Sequence, residues 1–176
     1  MGHETSTLEC PAPRPDQPRL LRAYIADHLL LLRAARELAG RVRRRERDDE
    51  LAALLDEVSA ELRRQEAVAI AFMRQLGAGA PWVRLAIGTV SERVGRLKPN
   101  GRLIRSSPLA PVFELEVLES LLEMAARCWR VLAAAGVAAE DVVGPRAHEA
   151  ERLVPHLERL RLERGAHALR PLGARG

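Results

Sequence analysis

Four stretches of this chain place apolar residues three and four positions apart over many turns, the period of one face of an α-helix. The first runs from Arg19 to about Arg45 through Leu21, Tyr24, His28, Leu31, Ala35, Leu38 and Val42. The second follows the acidic turn "ERDDE" and runs through Leu51, Leu55, Val58, Leu62, Gln65, Ala69, Phe72 and Leu76 to a stop at Gly77 and Gly79. A third begins after "RSSP", where Ser107 suits a cap, and reaches about Ala135. It carries two apolar rows: Leu115, Leu118, Leu122, Ala125, Trp129 and Leu132 in one, and Val117, Leu121, Met124, Cys128 and Val131 in the other. The fourth runs from about Ala147 to Leu169 through Ala150, Leu153, Leu157, Leu160, Arg164 and Ala168, and Pro155 predicts either a kink or a helix that starts there.

Four helices of this length, each roughly 35 to 40 Å long at 1.5 Å per residue, predict an all-α four-helix bundle. The short first and third connections predict two antiparallel hairpins. The second connection, residues 78–110, is long enough to run the length of the bundle, as in ferritin-like folds, and "PWVRLAIGTVSERVGRL" predicts a short amphipathic helix within it. Residues 1–18 carry four prolines and no periodicity, which predicts a disordered tail. Residues 19–169 are then the bundle domain, and 170–176 a second disordered tail.

Composition narrows the function classes. The chain of 176 residues is one domain's worth, and Lys98 is its single lysine among the 28 basic residues, a skew that points to G+C-rich coding and a bacterial source. Cys10 and Cys128 have neither the number nor the spacing of a disulfide framework or zinc site, which suits a reducing cytoplasm. No apolar run approaches the roughly 20 residues of a membrane span. "MGHETS" fits the loose N-myristoylation pattern, but an ordinary tail is the expectation.

The "GRLKPNGRL" turn, the "SPL" before the third helix, the "ELE" near its start and the "LERLRLE" of the fourth resemble an uncharacterised family of actinobacterial proteins of ferritin-like appearance. The likeness covers about Leu20 to Leu169. It implies a fold and no activity.

Ferritin-like di-iron sites use a glutamate from each of two helices and Glu-x-x-His from the other two. No Glu-x-x-His occurs in this chain. On helical wheels the inward polar residues are His28, Gln65, Glu114 and Arg164, one per helix, whose charges sum to about zero where a di-metal centre needs several anions. The expectation is therefore no cofactor, with His28 and Gln65 hydrogen-bonded to each other and Glu114 and Arg164 forming a buried ion pair. The alternative is a degenerate metal-binding protein or oxidoreductase holding iron or manganese with His28, Glu61 and Glu114. If the long connection spans the bundle, the two polar layers lie roughly 15 Å apart; if not, all four residues converge within about 10 Å.

Residues 78–110 hold Arg84, Arg93, Arg96, Lys98, Arg102 and Arg105 against Glu92 alone, so the basic character of a chain of net charge +4 resides there. Arg93, Arg96, Lys98, Arg102 and Arg105 surround the "KPNG" turn and form a candidate site for anions or nucleic acid, although no interleaved aromatics are present for base stacking. Phosphate-binding glycine loops and nucleophile elbows are absent. The leading expectation is a non-catalytic structural or protein-interaction module. It would pair as a homodimer through helix faces, a partnership suggested by Leu29 and Leu30, which fall off the main stripe of the first helix. Neither a membrane nor a nucleic-acid partner is expected.

Overall fold

The computed structural model describes residues 16–77, 109–137 and 140–170. They form four helices: α1 (Gln17–Arg43), α2 (Asp49–Gln75), α3 (Ala110–Ala134) and α4 (Glu140–Leu169). No strand occurs among the described residues. No helix among them is long and apolar enough to cross a membrane.

Local chemistry sets the ends. Pro18 stands in the first turn of α1, where a missing N–H costs nothing, so the helix begins inside the segment expected to be tail. Asp48 caps α2 by accepting the Leu51 N–H at 2.9 Å, with Asp49 and Glu50 beside the positive end of the helix dipole. α3 closes on Gly136 at φ 62°, with Gly136 N–H bonded to Ala133 O and Val137 N–H to Leu132 O, the paired bonds of a Schellman cap. Gly77, at φ 71°, occupies the same place after α2. α4 starts ahead of the position that Pro155 suggested and passes through both Pro145 and Pro155 as a single helix.

The helices pack in the cyclic order α1, α2, α4, α3, and every neighbouring pair is antiparallel. Arg43 at the end of α1 meets Asp56 near the start of α2 at 2.9 Å, and Arg22 near the start of α1 donates to Leu76 O at 2.9 Å. Arg45 reaches Glu114 at the start of α3, at 2.5 Å. α2 meets α4 in reverse order, through Glu61 with Arg146, Glu57 with Arg152, and Glu50 with Arg159. The end of α2 and the start of α3 therefore lie at opposite ends of the bundle. The short amphipathic helix expected between them, and the basic cluster Arg93, Arg96, Lys98, Arg102 and Arg105, lie outside the described residues.

The core is leucine-rich, with Leu29, Leu51, Leu55, Leu62, Leu115, Leu118, Leu122, Leu153 and Leu157 all fully buried. In α1 the buried row is Ile25, Leu29, Leu32, Ala35, Leu38, Ala39 and Val42, rotated from the expected row so that Leu21, Tyr24, His28 and Leu31 lie at its edge. The run Leu29 to Leu32 explains the rotation: four consecutive leucines carry no phase, and packing against α2 and α3 chooses Leu29 and Leu32. Leu29, expected to be available for dimerisation, is a core residue, and Leu30 is half-buried.

Candidate functional site

The polar interior centres on Gln65, which is wholly buried on the inner face of α2. Its side-chain oxygen accepts the Trp129 indole N–H from α3 at 2.8 Å. Its amide donates to Glu61 Oε1 at 3.0 Å and to the Arg146 carbonyl of α4 at 3.3 Å. Glu61, 1% exposed, lies one turn before Gln65 on the same face. Arg64 holds its second oxygen at 2.8 Å, and the Arg146 guanidinium lies 3.5 Å from the first. Three helices thus share one hydrogen-bonded cluster. A neighbouring carboxylate, Glu66, turns toward α1 and takes Arg36 at 2.7 Å and Arg33 at 3.8 Å.

The expected pairings are replaced. His28 does not bond Gln65: its Nδ1 meets Tyr24 O at 3.0 Å, one turn back, and its ring lies 4.4 Å from that of Tyr24. The indole of Trp129 supplies what Gln65 needs, which a wheel of α2 alone does not reveal. Glu114 and Arg164 do not pair with each other either. Glu114 takes Arg45, and Arg164 takes Glu46 at 2.9 Å, both partners coming from the α1–α2 turn. That turn packs under this end of α3 and α4 and brings one charge of each sign.

Glu46 is the more enclosed of these groups. Burial alone would raise its pKa, yet the Arg164 side chain and the N–H groups of Asp48 and Arg47 hold the carboxyl below its ordinary value of 4.5. Cys128 shows the reverse: burial pushes its thiol up to about 12, against the lowering effect of a hydrogen bond with Tyr24. It is a neutral thiol at physiological pH.

The metal alternative His28, Glu61 and Glu114 does not converge. His28 stands level with Cys128, with which it lines a small apolar cavity, whereas Glu114 precedes Cys128 by fourteen residues on α3, about 21 Å at 1.5 Å per residue. Glu61 is committed to two guanidinium groups and an amide. Among the described residues no three His, Cys, Asp or Glu side chains gather closely enough to hold a metal ion.

The second row of α3 is the other feature of note. Leu115, Leu118, Leu122, Ala125, Trp129 and Leu132 are all at most 5% exposed. Val117, Leu121, Met124, Cys128 and Val131, spaced four, three, four and three, are not uniformly covered. Cys128 is buried against α1, Val117, Leu121 and Met124 are half-buried, and Val131 is 50% exposed. Phe113, one turn before Val117, is 43% exposed.

Comparison with known proteins finds no matching family model, no matching curated protein and no matching solved structure.

Proposed function

We propose that this chain is a ferritin-like helical bundle that works without catalysis, as a structural or protein-interaction module. The observation that carries the reading is the second row of α3. Its 4-3-4-3 spacing is the seam that a helix presents to another helix, and α1 covers only part of it. The interior speaks for the same reading, because the carboxylates of Glu61 and Glu66 and the amide of Gln65 are engaged by neighbours rather than aimed into a reaction space. The ferritin-like reading draws on topology, two antiparallel hairpins joined by a connection between opposite ends.

A second copy of the chain is the partner this reading favours. Sedimentation velocity over a wide concentration range is the test. A dimer that dissociates when Val131 and Phe113 are changed to Ser together, with helix content unchanged, is the expected result. A monomer at every concentration would remove the homodimer and leave the row to a different protein.

A further inference from the structure

The charges of α3 are sorted by sign along its length. Glu114, Glu116, Glu119 and Glu123 come first, Arg127 and Arg130 last, and the helix holds no other charged residue. At about 100° per residue, Phe113, Val117, Ser120, Met124 and Val131 share one face, turned away from the buried row, and Glu116 and Arg127 lie along the same flank of it.

The apolar residues and the charges have a common centre. Phe113, 43% exposed, and Val131, 50% exposed, are the most open apolar residues of the face. Each stands nine residues from Leu122, about 13.5 Å along the axis, and the interval between them is about five whole turns, so both point the same way. Glu116 stands six residues before Leu122, and Arg127 and Arg130 stand five and eight after it. Between them Ser120 donates its hydroxyl to the Glu116 carbonyl of its own helix at 3.0 Å, so the middle of the face is small and asks for no polar partner.

We infer that the partner of this face is the α3 of a second copy, laid antiparallel across a two-fold axis beside Leu122. The inference rests on the homodimer reading above and gives it an orientation. Two-fold symmetry makes every contact occur twice, with the residues exchanged. Phe113 of one copy then falls opposite Val131 of the other. Glu116 falls between Arg127 and Arg130 of the other copy, about 1.5 Å from the first and about 3 Å from the second in height along the axis. A parallel pair would set Glu116 beside Glu116 and Arg127 beside Arg127, which like-charge repulsion disfavours.

Contacts within the chain leave these groups open to a second copy. Glu116 meets Arg161 at 3.4 Å, while Arg161 holds Glu119 more closely; Arg127 holds Glu123 one turn back, and Arg130 pairs with Glu151. The side chains of Glu116, Arg127 and Arg130 are 48%, 66% and 62% exposed. A carboxylate has more lone pairs, and a guanidinium more N–H groups, than one such contact engages. Exposed pairs of this kind add little to the stability of a single chain, so sharing them across an interface sacrifices little.

The test is sedimentation equilibrium of the full chain and of two charge-reversed variants, Glu116→Arg and Arg127→Glu combined with Arg130→Glu. Each variant alone sets like charges against each other and should raise the dimer dissociation constant by roughly tenfold or more. An equimolar mixture of the two restores opposite charges at every contact, so a heterodimer of near wild-type affinity should form, identified by native mass spectrometry. Cross-linking reads the same geometry without charge. In a Cys10→Ala background, Phe113→Cys and Val131→Cys chains should be joined to each other by a short bismaleimide when mixed, and neither to itself, because like positions lie about 27 Å apart. A wild-type dimer indifferent to both reversals, a mixture that stays monomeric, or self-cross-linking of either cysteine variant overturns the antiparallel arrangement and leaves the homodimer standing. A wild-type chain that is monomeric at every concentration overturns both.

Discussion

At the scale of single residues, the interior is held by one buried amide. Gln65 serves an acceptor role toward Trp129 and a donor role toward Glu61 and the Arg146 carbonyl, so no apolar residue of its size can stand in for it. Gln65→Leu should cost about 2 kcal/mol or more in urea unfolding, because the indole N–H loses its acceptor inside the core. Adding Trp129→Phe to that variant should cost less than Trp129→Phe does alone in the wild-type chain, a coupling that a double-mutant cycle reads directly. Glu46 makes a pH-dependent contribution. Its carboxyl is held below 4.5 in the folded chain, so the stability it adds is complete above that value and disappears as pH falls through the folded value. Glu46→Gln should therefore be less stable than wild type by about 1 kcal/mol near neutrality, and the two unfolding midpoints should converge in acid. The sequence carried part of this. Glu61 and Gln65 sit four apart on one face and are visible as a pair, whereas the partners of Glu114 and Arg164 come from the α1–α2 turn, and no helical wheel places a turn residue.

At the scale of elements, phase was readable wherever polar residues interrupt the apolar ones. In α2 the buried Leu51, Leu55, Val58 and Leu62 are those that the three-and-four spacing selects. In α1 it was not, because Leu29 to Leu32 are four leucines in a row and the choice among them belongs to neighbouring helices. Prolines misled in a related way. Pro155 read as a start or a kink, yet α4 continues through it, since packing of Val143, Ala147, Leu153 and Leu157 on the core outweighs one lost backbone bond. Glycine at the end of α3 acts through backbone alone. Nothing lies within 4 Å of a Cβ built on Gly136, so Gly136→Ala should lower stability by about 1 to 2 kcal/mol through the positive φ and nothing else. Gly136→Asn, which tolerates that conformation better, should lose less in the same thermal melt.

At the scale of the whole molecule, four long periodic segments sufficed to read an all-helical chain with two hairpins. The direction of the middle connection did not follow from the sequence, because its length permits either a return or a crossing. The contacts of Arg22 with Leu76 and of Arg45 with Glu114 show that α2 ends and α3 begins at opposite ends. That connection also gives the molecule a modular character. Each hairpin is continuous in sequence, and the surface between the hairpins contains the core leucines and the Gln65–Trp129 bond. A chain cut at the Pro99–Asn100 bond should therefore yield two fragments that find each other when co-expressed, co-purify and recover the helical circular dichroism of the intact chain, while each fragment alone exposes its leucines and aggregates. In protein-engineering terms, the two hairpins are expected to behave as the halves of a split protein.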